Sequence, residues 1–553
     1  MSYPRKLQVL IVEDDSDAIE AYRVSFATLK KKFDIVDPVI VRGFNDAQKR
    51  LEGPDIFHVV ILDMNLPMET RGQPVEGLAP GEQLLETIAK RDAYPVPVVL
   101  IVSGKLNLAQ SIGALSDCLT QDFWHGRLVT KGSDNQHQEI ERGLSQALRY
   151  LDVGIHIRDA GNEWYPTLSP REKDLLRRCV LAQGACLGVD LRWWSAENGP
   201  SFSRPNPNAG PTKVLMGHFI LDEALGTSLP TFFKFEPAGN AVAVRRDAGI
   251  LAQKLGHIKV YHTCQSRQRS LIVTQSVTNR GWPVPLNEYL RSDPGVVGPA
   301  IATLINHVVE QLHQLGTAED DEVQLSAFFW EHLYRDAIEK AWSNCDTRQL
   351  RQDGCGNPLA AFDILKAVTA KHWATRRHCT HGDLNATNVA IDATQPDGPH
   401  AYIFDAAGMR GDFDFRDLAT LEVTSILFNS VGLDQQLIHA CRVFYDSDFL
   451  PNVPQDIANP PFTRNVLSMI GAIRSRFQTD QQKRTYALLV FDAVLRQLLG
   501  LAVQPSPNKI KNPLHACYLA AWVSHWIKAI APDWFPQADG QANAIPAKVE
   551  EEA

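Results

Sequence analysis

Four apolar runs in the first 131 residues each stop at a side chain that can do chemistry. LQVLIV (7–12) stops at Glu13 and Asp14. FHVVILDMNLP (57–67) carries Asp63 and Asn65. YPVPVVLIVSGK (94–105) carries Ser103, and GRLVTKGS (126–133) carries Lys131. Stretches with helical spacing, SDAIEAYRVSFATLKKKF and GEQLLETIAKRD, lie between them. Short apolar runs alternating with helices predict strands buried on both faces of a parallel α/β sheet. Open sheets of this kind gather their ligand groups at the C-terminal ends of the strands. All of these polar residues fall there. EIERGLSQALRYLD (139–152) predicts a closing helix, so the first domain is expected over residues 1–152.

Acids that converge on one point repel each other unless a cation sits among them. A hard divalent ion such as Mg2+ suits oxygen ligands. Asp63 can then act as a nucleophile toward a phosphoryl group, with Lys131 and the Ser103 hydroxyl holding the phosphoryl oxygens. The motifs VLIVEDD, VVILDMNLP, IVSG and TKG, in this order over roughly residues 6–150, resemble the receiver domain of two-component response regulators. The resemblance implies a flavodoxin-like, doubly wound fold with five parallel strands in the order 2-1-3-4-5. It implies Asp63 as phosphoacceptor and Ser103 and Lys131 as switch residues. It implies Mg2+ bound by Asp14, Asp63 and the Asn65 carbonyl, with Glu13 close by. The implied phosphodonor is a sensor histidine kinase, and because receivers often dimerise a homodimer stays open. Three features depart from the family. Gly132 stands where Pro usually follows the Lys, Leu128 stands where the switch aromatic usually is, and METRGQPVEGLAP (68–80) is inserted after the acceptor strand.

A chain of 553 residues asks for two to four domains. Residues 153–212 are expected to be a linker helix and the start of an N-lobe; there LSPREKDLLRRCVLAQG (168–184) predicts an amphipathic helix opened by Ser169, with Glu172 three positions on as a capping box. SRPNPNAGP (203–211) reads as a linker or long loop. From about residue 213 a second α/β pattern begins, with strand-like HFILDEA, TFFKFEP and SLIVTQSV. After residue 300 the pattern is mostly helical, with one strand pair around HCTHGDLNATNVAID and HAYIFDAAG. Residues 536–553 are expected to be a disordered tail. Helix 168–184 resembles the first helix of the DNA-binding domains that follow many receivers. No recognition helix comes after it, because the chain continues as GVDLRWWSAENGPSFSRPNPN. DNA binding is therefore disfavoured, in line with the net charge of -9. The helix is expected to pack as a linker between the two parts of the chain.

HCTHGDLNATNVAID (378–392) carries the second centre. Phosphoryl transfer from ATP needs a Lys on the phosphates, an Asp that takes the acceptor proton, and an Asn and a second Asp on Mg2+. In kinases the catalytic Asp and the Asn sit five apart on one loop. Asp383 and Asn388 have that spacing, and Asp405 follows in AYIFDAAG. Lys234 lies within the apolar TFFKFEP, where an unpartnered ammonium would be costly. Residues of about 160–535 resemble the kinase-like phosphotransferase fold of the aminoglycoside phosphotransferase/choline kinase branch. AYIFDAAG…DFRDLATLE is similar to the ternary-complex-associated phosphotransferase-like family. The resemblance implies a bilobal protein-kinase-like fold of α+β class, with an N-lobe over 213–300 and a large helical C-lobe over 301–535. It implies Asp383 as catalytic base, Asn388 and Asp405 as Mg2+ ligands, and Lys234 as the ATP-phosphate Lys. LIVTQSV (271–277) would be the hinge strand, His381 a brace of the loop, Asp417 a brace of the loop or a cap of the helix that follows, and Asp247 the helix acid that pairs with Lys234. WWSAENGPSFS (193–203) and KVLMGHFILDEALG (213–226) are the candidates for a phosphate loop.

Two functions remain open from the sequence. One is a Mg-ATP-dependent phosphotransferase, gated by the receiver, that acts on a small-molecule or protein acceptor. The other is a pseudokinase that binds nucleotide or a partner protein without transfer. EDDEVQLSAFFWEHLYRDAIEKAW (319–342) is expected to be a helical insert that helps to choose the acceptor. Other classes are disfavoured. The composition, 44% hydrophobic and 22% charged, is that of a folded chain. The nine cysteines form no CxxC pair and suggest reduced thiols rather than disulfides or zinc. MSYPRKLQVLIVEDD has no signal-peptide pattern, and no apolar run reaches the ~20 residues of a membrane helix. A soluble cytoplasmic protein, without membrane contact, is expected.

Overall fold

The apolar runs of the N-terminal part become β1 (Val9–Val12), β2 (Val39–Val41), β3 (Val59–Asp63), β4 (Val98–Ser103) and β5 (Gly126–Thr130). They form one five-stranded sheet in the order 2-1-3-4-5, parallel at every pairing. Every residue of β1, β3 and β4 is buried, which is why these strands are apolar throughout rather than alternating. Helices α1 (Ser16–Leu29), α2 (Phe44–Glu52), α3 (Pro80–Lys90) and α4 (Gln136–Asp152) cover the two faces. α2 and α3 pack on one side through Phe44, Leu51, Leu84 and Ile88. α1 and α4 pack on the other through Tyr22, Phe26, Ile140 and Leu144. Asp15 caps α1 by accepting from Asp17 N and Ala18 N.

The computed structural model describes residues 6–66, 80–90, 96–103, 126–158, 167–184, 186–193, 213–221, 231–255, 259–266, 269–275, 283–316, 319–324, 335–336, 339, 343, 372–404, 409–413, 415–427, 437, 440–445, 449–450, 461–503 and 513–534. The chain divides into two units. Met1–Gly199 with Arg204–Pro283 is the first, and Pro200–Ser203 with Val284–Ala553 is the second.

The first unit holds a second sheet beside the parallel one. Its elements are β6 (Gly154–Ile157), α5 (Pro170–Ala182), β7 (Cys186–Trp193), β8 (Lys213–Leu221), β9 (Thr231–Pro237), α6 (Ala241–Leu255), β10 (Lys259–Gln265) and β11 (Arg269–Gln275). The strand order is β10-β11-β9-β8-β7-β6. β6 runs parallel to β7 and the other pairings are antiparallel. α5 lies on this sheet and buries Leu175, Leu176, Cys179 and Val180 against Val189, Leu215, Phe233, Phe235 and Leu271. Its start is the capping box that the sequence predicts, with Ser169 and Glu172 each accepting from the other's backbone. Residues 153–212 thus supply β6, α5 and β7 to the same sheet as the strands after 213. The strand β7, and not a recognition helix, follows α5.

The second unit begins with β12 (Val284–Pro285), α7 (Leu286–Tyr289) and α8 (Pro294–Leu315). β15 (Val389–Asp392) and β16 (His400–Ile403) join β12 in an antiparallel three-stranded sheet. β13 (Glu319–Gln324), β14 (His372–Thr380) and β17 (Arg410–Phe413) form a second one. The expected helical insert over 319–342 is corrected at its start. EDDEVQ is a strand paired with β14, and ladder pairing over all six residues overrides a polar composition that disfavours strand. The single strand pair expected after residue 300 is likewise joined by β13, β14 and β17. Helices α9 (Arg416–Leu427), α10 (Pro461–Arg474), α11 (Asp480–Val503) and α12 (Pro513–Ile530) supply the remaining core.

At the centre of that core sits an ion pair. Arg474 is fully buried, donates to Glu422 Oε1 at 2.7 Å, and lies 4.2 Å from the Trp526 ring centroid. Tyr445 and Tyr486 hydroxyls donate to the two Glu422 oxygens, each at 2.8 Å. A buried charge is tolerated only when paired and hydrogen-bonded in this way. The architecture is the one expected: a doubly wound receiver-type sheet, then a mixed α+β kinase-like fold with a helical C-terminal part. No helix among the described residues is long and apolar enough to cross a membrane.

Candidate functional site

Strand order brings the first centre together. β1 and β3 are neighbours, and the order reverses there, so Glu13 and Asp14 come beside Asp63 at the strand ends. One carboxylate oxygen each from Glu13, Asp14 and Asp63 lies within 4.8 Å of the others. Lys131 Nζ reaches across from the end of β5 to Glu13 Oε1 at 2.8 Å and Asp63 Oδ2 at 2.9 Å, with Asp15 Oδ2 at 3.7 Å. The other Asp63 oxygen, Oδ1, accepts from Asn65 N at 2.9 Å. Asn65 itself is exposed. Ser103 is buried at the end of β4, where Asp63 pairs with its neighbour Val102.

The electrostatics suit a cation. Burial pushes the Glu13 carboxyl above its ordinary value, and the Lys131 hydrogen bond works against that rise. Burial draws the Lys131 ammonium down, but its bonds to Glu13 and Asp63 outweigh this and leave it raised. Among the described residues, the buried Glu13 Oε2 has no hydrogen-bond partner. A divalent ion with oxygen ligands fits that donor set, since one Lys cannot neutralise all the acids.

Gly132 explains one departure from the receiver pattern. Its φ is 72°, in the left-handed region, and its N–H donates to Gln136 Oε1 at 2.8 Å. Proline can adopt neither the angle nor the bond.

The second centre is a loop between β14 and β15. Gly382 has φ 85° and turns the chain sharply after His381. Asp417, in the first turn of α9, accepts from His381 N at 2.7 Å and from Gly382 N at 3.1 Å. The His381 ring bonds the Phe404 carbonyl through Nε2 at 2.9 Å. His381 and Asp417 therefore brace the loop, as expected. Asn388 Nδ2 donates to the Asp383 carbonyl at 2.7 Å. That commits the amide nitrogen to the loop, so Oδ1 is the atom Asn388 can offer a cation. Asn385 makes the turn between them by accepting from Thr387 N at 2.9 Å. The Asp383 residue itself is exposed. Asp405 lies outside the described residues. The preceding strand β16 pairs Ile403 with Val389, the residue after Asn388.

Lys234 sits in the middle of β9, in the first unit, between Val214 of β8 and Ile272 of β11. It is 9% exposed, and its Nζ pairs with Glu236 Oε1 at 2.9 Å. Sequence reading missed Glu236. The signal was present, because residues two apart on a strand share a face. Asp247 is buried on α6 and pairs with Arg246 at 2.9 Å. Of the phosphate-loop candidates, 194–203 and 222–226 lie outside the described residues, and 213–221 is the strand β8 rather than a loop.

No protein-family description matches this chain. No curated protein matches it either. Solved structures do. The bacteriophytochrome response regulator AtBRR is 19% identical, with 26% of this chain and 94% of that one covered at a TM-score of 0.18. A protein of Ralstonia eutropha JMP134, provisionally named an aminoglycoside phosphotransferase, is 14% identical. There 58% of this chain and 94% of that one are covered, at a TM-score of 0.29. The chain joins a receiver fold to a kinase-like fold. That statement rests on the 2-1-3-4-5 strand order, on the carboxylate cluster at the strand ends and on the loop that Asp417 holds.

Proposed function

We propose that this protein is a two-component response regulator whose receiver, phosphorylated on Asp63, controls a Mg-ATP-dependent phosphotransferase site in the kinase-like part. The observation that carries the reading is the built loop at residues 381–388. Two backbone N–H groups are held by Asp417, and Asn388 is locked to Asp383. A solvated turn has no use for a buried carboxylate aimed at its backbone.

In the receiver, an Asp63 oxygen attacks the phosphorus of a phosphohistidine on a sensor histidine kinase. The P–N bond breaks and the imidazole leaves. Both Asp63 oxygens are engaged before that step, so Lys131 must release Oδ2 and pass to the phosphoryl oxygens. The Ser103 hydroxyl holds a further oxygen. Glu13, Asp14, Asp63 and the Asn65 carbonyl would hold Mg2+, which supplies the positive charge that lets an anion approach these acids.

In the kinase-like part, Lys234 holds the ATP phosphates, with Asp247 as the helix acid assigned to it and Glu236 as its strand partner. Asn388 and Asp405 would hold Mg2+, which supplies positive charge to the phosphates. Asp383 takes the proton of an acceptor hydroxyl as that oxygen attacks the γ-phosphorus. The bond to the β–γ bridging oxygen breaks and ADP leaves. The acceptor is a small molecule or a protein.

The test is ATP turnover by the full chain with Mg2+, against Asp383→Ala, each with and without acetyl phosphate to load Asp63. Turnover that needs Asp383 and changes on loading supports the reading. Absence of ATP binding overturns it. The Lys234–Glu236 pair favours a second reading, in which nucleotide binds without transfer, because Lys234 is held by an acid of its own strand. ATP binding that depends on Lys234, with no turnover across an acceptor panel, would support that reading.

A further inference from the structure

Helix α5 (Pro170–Ala182) buries five charged side chains, and they reach in two directions. Arg171, Glu172, Asp174, Arg177 and Arg178 are each 6% exposed or less. Toward the receiver, Arg171 donates to the Ile88 carbonyl at 3.0 Å and to the Ala89 carbonyl, both in the last turn of α3. Arg177 Nε donates to the Tyr150 carbonyl at 3.0 Å, near the end of α4. The Tyr150 hydroxyl donates back to Asp174 Oδ1 at 2.8 Å, and Asp174 pairs with Arg178 at 2.6 Å. Toward the six-stranded sheet, Glu172 pairs with Lys213 of β8 at 2.7 Å and with Arg269 of β11 at 3.0 Å. β8 and β11 are the two strands that flank β9 at Lys234.

The other end of α3 rests on the acceptor strand. A Cβ added at Gly81 would lie 2.7 Å from Met64 Cα and 3.0 Å from the Asp63 carbonyl oxygen. The first turn of α3 thus touches the backbone that carries Asp63, with no gap to absorb a shift. An eleven-residue helix is a rod of about 16 Å. A close-packed interior passes on such a displacement rather than damping it. α4 has a similar tie, since a Cβ added at its Gly143 would lie 3.0 Å from Leu100 Cδ1 of β4. An apolar helix would hold the two sheets together at least as well as these buried ions. Buried polar networks of this kind fix one register instead.

We propose that α5 is the output element of the receiver. Phosphorylation of Asp63 moves the ends of α3 and α4, and α5 carries that movement through Glu172 to β8 and β11 and so to the position of Lys234. The inference rests on the proposed function and names the route of its regulation. Arg171 and Tyr150 are positioning residues on that route.

The experiment uses the full chain with Mg2+, with and without acetyl phosphate, and reads hydrogen exchange together with phosphoryl uptake. Wild type, Arg171→Met and Tyr150→Phe are compared. The first substitution keeps the stem and loses the guanidinium, and the second loses only the hydroxyl. In the wild type, loading changes amide exchange within 170–182 and 213–221 by about 5-fold or more, the lower end of ordinary allosteric coupling. The ATP dissociation constant shifts in step. In both variants uptake at Asp63 persists at the wild-type rate, while the changes beyond residue 152 and the ATP shift disappear. Uptake with exchange changes confined to 6–152 in the wild type overturns the inference and leaves the receiver reading intact. So does undiminished relay in both variants. Failure of Asp63 to take up phosphoryl overturns both. Exchange changes in α5 without any ATP binding keep the route and overturn the phosphotransferase.

Discussion

Asp417 offers a direct test of how the loop that carries Asp383 is held. Its two oxygens accept from His381 N at 2.7 Å and Gly382 N at 3.1 Å, and the residue is 3% exposed. A hydrogen bond to a charged acceptor contributes about 1.5–3 kcal/mol. Asp417→Asn keeps one oxygen and turns an NH2 group toward the other backbone N–H. The expected local cost is about 2 kcal/mol, which accelerates amide exchange at that donor roughly 30-fold. Asp417→Ala loses both acceptors and is expected to cost about 4 kcal/mol, close to 1,000-fold. Native-state exchange of His381 and Gly382 reads this directly, with amides of α12 (Pro513–Ile530) as the control for global stability. Turnover should fall in the same order. Unchanged exchange at both amides would refute the brace. Equal acceleration in α12 would show that Asp417 supports the whole unit and not the loop.

Three further outcomes follow from buried or strained positions. His58 is 9% exposed, accepts from Gln8 N through Nδ1, and has its pKa drawn down by burial to about 4. Above the unfolded value of about 6.5 the ring is neutral in both states and its contribution is complete; between about 6.5 and 4 the unfolded chain takes up the proton first, so roughly 3 kcal/mol is lost as pH falls. The stability advantage of wild type over His58→Asn should therefore narrow on acidification, and NMR titration of His58 near 6.5 would count against it. Gly132→Pro is expected to cost about 2–4 kcal/mol through the positive φ and the lost bond to Gln136, whereas Gly132→Ala costs about 1 because no atom of the described residues lies within 4 Å of an added Cβ. Equal effects on thermal unfolding would contradict that. Glu422→Leu strands the buried Arg474 and is expected to cost about 3–5 kcal/mol, most of it regained when Arg474→Leu is added. A double variant as weak as the single one in urea unfolding would overturn the account.

Local pattern carried much of this protein. The runs VLIV, VVILD and VVLIVS are apolar at every position because both faces of a parallel sheet are covered, and the pattern identifies the strands without tertiary knowledge. Ser169 and Glu172 mark a helix start because a capping box is closed by neighbours in sequence. The Asp383–Asn388 spacing was readable for the same reason, since the hydrogen bond that joins them spans five residues. EDDEVQ was misread because its strand conformation depends on β14, whose paired residues come about fifty positions later. Glu236 was overlooked because the sequence marks a strand face but not which acid on it meets Lys234.

The sequence by itself determined the order of elements, the side chains that end them and the turn that carries Asp383, because these depend on contacts between near neighbours in the chain. Only the tertiary structure decided that Lys131 bridges Glu13 and Asp63, that Asp417 holds the loop, and that α5 ties the receiver to the sheet of Lys234. Each of those joins residues far apart in sequence, and their partners are chosen by packing, which no local pattern encodes.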